Sequence, residues 1–208
     1  MKVAKGWNDV TVEQFQELLP IYKKAIIEKD SENSLTLWSN VIAILADCQT
    51  EEVEALPISE LKTIISKLKF LSDTKFYGSN KTTIYHNGKL YKAFKDAKEF
   101  NVARVIEYKT FLGKGFIPEM HNLLAVIYQP YFKSDKQTHA ERAREFKSIS
   151  VKKAYPMLFF YTKVCKDSMR RIQEYGIKIA EEKMKEADQL LMQTLKETLE
   201  NIGDGTLL

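Results

Sequence analysis

The chain has 208 residues, of which 44% are hydrophobic and 29% charged, a composition that is typical of a globular domain and excludes a wholly disordered chain. Its 32 basic and 28 acidic residues give a net charge of +4, which is weaker than the dense basic stripe of a dedicated DNA-binding domain. Eight glycines and five prolines are about half the usual share, and this scarcity argues against an all-β sandwich or barrel. Two distant cysteines without a CxxC pair predict neither a disulfide scaffold nor a zinc site, and no apolar run predicts a membrane span.

Helical periodicity dominates the first third of the chain. Thr11 and Gln14 have the spacing of a capping box, which predicts that the first helix begins there. Pro20 is expected to kink or divide this helix, because proline removes one backbone hydrogen bond from a helix interior. A second helix is predicted over about 31–46 and another over about 59–71.

The middle of the chain predicts a β-hairpin at about residues 82–94. Asn87 and Gly88 separate two runs that are rich in β-branched and aromatic residues. Such a pair favours a tight turn in which both central residues have positive φ. A lone hairpin is marginal in water, so we expect this one to pack on the helices or to extend a partner's sheet.

Helices resume near residue 99 and continue to the C-terminal region. One is predicted to run from Pro118 to Tyr128 and to stop at Pro130, followed by a short basic helix over 139–146 that Thr138 caps. The segment 151–168 is expected to be the most buried helix. The central apolar positions predict this core: Leu18, Trp38, Ile42, Leu45, Leu68, Leu124, Ile127, Phe159 and Phe160.

These elements together predict a mainly α fold, a multi-helix orthogonal bundle with one small hairpin and a long C-terminal helix. Residues 1–165 are expected to form the helical domain, and 166–208 the terminal helix and tail. A helix over 166–200 would be about 50 Å long and exceed the diameter of a compact domain of this size. It must project, bend at Gly176, pack against another chain or close onto the hairpin. We favour docking to a partner or a second copy through Met184, Leu191, Leu195 and Leu199.

Catalytic and metal-binding patterns are absent from the sequence. The three histidines lie in separate segments with no second histidine one helical turn away. No phosphate-loop, dinucleotide-binding or serine-nucleophile motif occurs, and the paired carboxylates lie in charged segments. We therefore expect no enzymatic activity, no cofactor and no metal.

Lysines interleaved with aromatic residues around the hairpin raise the alternative of nucleic-acid contact. The candidates are Lys75, Lys81, Lys89 and Lys92. Basic groups beside aromatic rings can bind single strands. The favoured interpretation is structural: the aromatic residues pack on the helices, and the lysines protect the sheet edges from pairing with other chains.

Several segments resemble the small helical tail assembly chaperones of tailed bacteriophages. The opening W-N-D-V-T-V-E-Q-F resembles a W-x-D-[LV]-T-[VL]-x-Q-[FY] pattern in such proteins, and an apolar helix is followed by an acidic E-E-V-E-A-L segment, as in the family. The resemblance covers roughly residues 7–165 and is carried by 7–15, 41–45, 50–57, 68–71, 123–128 and 154–160. It implies binding to the tape measure protein and no enzymatic activity, and it transfers no individual site residue.

The leading hypothesis is therefore a non-enzymatic phage protein, a tail assembly chaperone that acts in the host cytoplasm on the tape measure protein or another tail or virion protein. One alternative is a structural virion component, such as a neck, portal-proximal or capsid-packaged protein. A nucleic-acid-binding accessory protein and an enzyme are less favoured. The protein could form homo-oligomers, and no membrane association is expected.

Overall fold

The computed structural model describes residues 1–28, 33–73, 82–94, 102–132 and 134–203, except for the side chains of 163–165, 167–169, 172 and 197–203. The described part is mainly α-helical with a small antiparallel sheet and a long C-terminal helix, as the sequence predicted. It divides into two compact units, Met1–Lys163 and Val164–Leu208. The helices are α1 (Val12–Ile27), α2 (Ser34–Ala46), α3 (Thr50–Glu54), α4 (Ile58–Lys67), a 3₁₀ helix (Leu68–Ser72), α5 (Val102–Lys114), α6 (Met120–Ile127), α7 (His139–Phe146) and α8 (Val151–Gly203), and the strands are β1 (Thr83–His86), β2 (Lys89–Ala93) and β3 (Tyr128–Pro130).

The first helix begins at the predicted capping box. The Thr11 hydroxyl accepts a hydrogen bond from the Gln14 backbone N–H at 3.1 Å, and the Gln14 side-chain oxygen accepts one from the Thr11 N–H at 3.0 Å. Two backbone donors that the first turn leaves without helical partners are thereby satisfied. The Gln14 amide also donates to the Ile44 carbonyl in α2, so the same side chain ties two helices together. Helix α1 continues through Pro20 without a division.

The residues of the opening motif hold the N-terminal segment against distant parts of the first unit. The Trp7 ring packs edge-on against Phe15 and Phe70, with centroids 5.5 and 5.3 Å away. Backbone hydrogen bonds of 2.8 Å join Val12 to Ile149 and Val151 to Val10, so the segment before α1 pairs with the turn that enters α8. The sequence pattern behind the phage resemblance therefore has structural roles in this fold.

The sheet contains the predicted hairpin and one strand that the sequence analysis missed. Asn87 and Gly88 have φ values of +47° and +76°, which confirms the predicted turn. Strand β3, Tyr128–Pro130, pairs with β2 in the order β1-β2-β3. The prediction of helix up to Tyr128 was therefore wrong by one residue at its end. Pro130 is tolerated in β3 because β3 lies at the edge of the sheet.

Helix α6 lies at the centre of the core and contacts α1, α5 and α7. Most of the predicted core is buried, including Leu18, Ile42, Leu45, Leu68, Leu124 and Ile127. The prediction for Phe159 was wrong, because its ring is 67% exposed. The buried side chains of α8 include Val151, Ala154, Met157, Leu158 and Tyr161, and the helix face that carries them leaves Phe159 outside. Trp38 and Phe160 are half-buried.

One continuous helix, α8, replaces the two predicted segments 151–168 and 166–200. It runs from Val151 to Gly203 and remains helical through Gly176. A Cβ added at Gly176 would meet no atom within 4 Å. Gly176 is therefore not needed to make room for another described part of the chain.

Candidate functional site

The C-terminal unit exposes large apolar side chains along α8. Met184 is 63% exposed, Leu191 60% and Leu195 49%. These are three of the four residues that the sequence predicted as partner-binding; the side chain of the fourth, Leu199, lies outside the described residues. Soluble proteins seldom leave a row of large apolar side chains in water, so such a row indicates an interaction surface.

Met184, Leu191 and Leu195 share one face because of their spacing. Ala180, Met184, Ala187, Leu191 and Leu195 follow one another in steps of four, three, four and four residues. Such steps repeat every eleven residues at about 3.67 residues per turn, close enough to the helical period to keep the row on one side of the helix. We call these five residues the α8 stripe. Exposed ion pairs on the same helix, Arg170–Glu174 and Lys178–Glu182, are spaced one turn apart.

The hairpin lysines separate into different environments. Lys89 forms an ion pair with Glu145 at 3.2 Å, so its charge is already matched within the chain. Lys92 lies 5.9 Å from the centroid of the Tyr131 ring. Lys75 and Lys81 lie outside the described residues. The structure therefore does not bring the four predicted nucleic-acid contacts together as one described cluster.

A polar cluster attaches the hairpin to the turn between α7 and α8. The His86 Nε2 atom lies 2.9 Å from the Ser148 hydroxyl and 3.1 Å from the Glu145 carbonyl oxygen. The Glu145 carboxylate accepts hydrogen bonds from Lys89 and Gln137, and the latter's amide oxygen accepts one from the Tyr91 hydroxyl. Burial lowers the pKa of His86 and raises that of Tyr91, so both side chains are held neutral. These bonds satisfy buried polar groups and position the hairpin.

A basic groove lies beside this cluster, since Gln137 belongs to both, and sequence reasoning did not find it. We define the basic groove by Lys92, Arg104, Tyr131, Phe132, Lys136 and Arg142, which line an open volume of about 1080 Å³. The lining residues come from β2, α5, the segment after β3, and α7. No local motif connects positions so far apart in the chain, although the adjacent aromatic residues Tyr131 and Phe132 after a proline were visible in the sequence.

Two arginines of the groove are fixed at the C-terminal end of α6. Arg142 donates through Nε and Nη2 to the Ala125 carbonyl at 3.2 and 3.1 Å, and through Nη1 to the Gln137 carbonyl at 2.7 Å. Arg104 donates to the Val126 carbonyl at 3.4 Å. The last carbonyls of a helix lack partners within it, and the helix dipole favours positive charge there. The two arginines therefore have a clear structural role as C-terminal caps.

The described residues contain no group of three His, Cys, Asp or Glu side chains that could hold a metal ion. Within the same part of the chain, none of the helices is both long enough and apolar enough to span a membrane. Comparisons with protein-family models, curated proteins and solved structures give no match for this chain. The site must therefore be interpreted from its own geometry.

Proposed function

We propose that this protein is a non-enzymatic tail assembly chaperone of a tailed bacteriophage, which binds an amphipathic helix of the tape measure protein along the α8 stripe. The observation that carries the proposal is the row of exposed apolar side chains at Met184, Leu191 and Leu195. A straight row of this kind is complementary to the apolar face of another helix, whose anchors repeat at similar three- and four-residue steps.

Burial of this row contributes part of the free energy of binding. Full burial of a Leu or Met side chain contributes about 1.5–3 kcal/mol, so covering three side chains that are roughly half exposed contributes about 3–5 kcal/mol. The small residues Ala180 and Ala187 lie on either side of Met184 in the stripe and allow a partner helix to approach closely. The segment 180–195 is about 24 Å long at the helical rise, which spans about four turns of a bound helix.

The resemblance to the chaperone family supports the choice of partner. It rests on the N-terminal motif and on apolar segments of the first unit, where Trp7, Val10 and Phe15 are structural. In this proposal the first unit is the folded scaffold and α8 carries the client-binding face. Shielding a long, aggregation-prone helical client is a task that needs an apolar surface and no catalytic group, and it would take place in the host cytoplasm.

Co-expression with the tape measure protein of the same genome tests the proposal. A double variant, Leu191→Gln with Leu195→Gln, is expected to lose co-purification of the tape measure protein and to leave it insoluble. Tyr175→Gln is the control, because Tyr175 is also exposed, at 67%, but lies half a helical circumference from Met184. Equal capture by the double variant and the control would refute the proposed site.

Mass spectrometry of purified virions tests the class of function separately. An assembly chaperone is released before the particle is complete, so the protein should be absent from mature virions. Stoichiometric presence in the particle would instead establish the alternative, a structural virion component, and would overturn the chaperone proposal.

A further inference from the structure

We propose that the basic groove binds single-stranded nucleic acid, with the cationic side chains contacting phosphates and the Tyr131 and Phe132 rings stacking on unpaired bases. This site is separate from the α8 stripe, and its activity does not depend on the proposed chaperone function. All six defining residues lie in the described part of the first unit.

The charge of the groove is the first observation. Four cationic side chains, Lys92, Arg104, Lys136 and Arg142, line it together with one carboxylate, Asp135. The excess of positive charge on one concave surface attracts a polyanion more strongly than the same charges dispersed over a convex surface. Among the described residues that line the groove, cationic side chains therefore outnumber carboxylates.

The hydrogen bonds that hold Arg142 do not neutralise its charge. The hydrogen bonds of Arg142 within the described part of the chain go to carbonyl oxygens, which are neutral acceptors, and three of its five N–H donors are used. Burial and the neighbouring charge of Arg104 lower the pKa of Arg142, while the nearby carboxylate of Glu107 opposes this shift. A half-buried guanidinium group such as that of Arg142 is stabilised by an anion bound beside it.

The aromatic pair is the second, independent observation. Tyr131 is 48% exposed and Phe132 56% exposed, with ring centroids 5.2 Å apart and ring planes at 74°. They follow β3 directly, and the Tyr131 N–H donates to the Leu90 carbonyl at 2.8 Å, so the backbone of the sheet anchors them. Rings in this position offer faces for stacking, and stacking on aromatic side chains is tolerant of base identity.

The combination selects a single strand over other anions. A duplex hides the faces of its bases, so it would gain the charge contacts but not the stacking contacts. An acidic peptide would likewise use the cations and leave the rings uncovered.

Fluorescence anisotropy on the full-length protein tests the proposal. Binding constants are measured for labelled oligo-dT and oligo-rU of about 20 nucleotides, at salt concentrations from about 50 to about 200 mM. Each phosphate contact contributes about −0.7 to the slope of log K against log salt for a single strand. The variant Lys92→Gln with Lys136→Gln should therefore reduce the magnitude of the slope by about 1.4. The arginines are left unchanged because they also cap α6.

The variant Tyr131→Ala with Phe132→Ala should weaken binding of oligo-dT about 25-fold or more at every salt concentration and leave the slope unchanged, because each stacked base contributes roughly a factor of five or more. On an abasic strand of the same length this variant should bind as the unmodified protein does. That difference separates stacking from a general loss of structure. Unchanged circular dichroism and thermal midpoint are required of each variant.

The matched controls are Lys62→Gln with Lys69→Gln, which removes two exposed lysines of α4 and the 3₁₀ helix, and Tyr175→Ala on α8. The inference is overturned if the controls weaken binding as much as the groove variants. It is also overturned if the ring variant has no effect on oligo-dT, or if a 20-base-pair duplex or polyglutamate binds as tightly as oligo-dT. Tighter binding of either oligo-dT or oligo-rU than of the duplex and polyglutamate would support the inference. The tighter of the two single strands identifies the preferred polynucleotide.

Discussion

Replacing Leu124 with Ala should separate a core leucine from an interaction leucine when it is compared with Leu191→Ala. Leu124 is buried in α6, the helix that contacts α1, α5 and α7, so its neighbours cannot collapse fully into the space that the lost atoms leave. The expected loss of unfolding free energy is about 3 kcal/mol, within the range of about 2–5 kcal/mol for buried Leu→Ala changes. Leu191 is exposed on α8, and its replacement should change the free energy of unfolding by less than about 0.5 kcal/mol.

Urea unfolding followed by circular dichroism and by tryptophan fluorescence measures this difference. Both tryptophans, Trp7 and Trp38, lie in the first unit, so fluorescence reports on the unit that contains Leu124. With an m value of about 2 kcal/mol/M, a loss of about 3 kcal/mol lowers the midpoint by about 1.5 M. A shift below about 0.5 M for Leu124→Ala would refute the placement of α6 at the centre of the core. A shift of similar size for Leu191→Ala would refute the exposed position of the α8 stripe.

Two further predictions concern the turn and the histidines. Gly88→Val should lower the free energy of unfolding, measured in urea, by about 1–2 kcal/mol, because Gly88 has a φ of +76° that a β-branched residue adopts poorly. Gly113→Ala in helix α5 is the control: the added atoms meet nothing, so it should raise the free energy of unfolding by up to about 1 kcal/mol. Equal effects of the two substitutions would contradict the turn geometry. The pKa values of His86, His121 and His139 are each lowered, with burial as the largest cause. Near pH 6 the unfolded chain therefore binds more protons than the folded chain does. The free energy of unfolding should decrease as the pH falls from about 7 to about 5. NMR titration of the three rings checks the direction, and values at or above the ordinary 6.5 would contradict the buried environments.

Features that depend on neighbouring residues were predictable. The capping boxes at Thr11 and Thr138 and the turn at Asn87 and Gly88 all appear where local chemistry requires them. Each capping box is specified by side chains three residues apart, and the turn by two adjacent residues that adopt positive φ, whatever the rest of the chain does. The exposed row at Met184, Leu191 and Leu195 follows in the same way from helical spacing combined with charged neighbours.

Features that depend on distant pairing were not predictable. Strand β3 forms because Tyr128–Pro130 pairs with Tyr91–Ala93, and a three-residue strand carries too little periodicity to be recognised alone. Phe159 lies in an apolar run in which every residue could be buried, and only the packing of α8 on the first unit's own core selects Met157, Leu158 and Tyr161 instead.

The sequence by itself determined the mainly helical class, the hairpin and the long amphipathic C-terminal helix, because composition, period and capping act over a few residues. The tertiary structure alone decided which cations and aromatic rings share a surface. Lys92, Arg104, Tyr131 and Arg142 lie on four separate elements, and they meet because β3 pairs with β2 and because the arginines bond to the free carbonyls at the end of α6. Contacts between distant segments leave no local pattern in the sequence. The entropic cost of bringing such segments together is offset only when the whole core assembles.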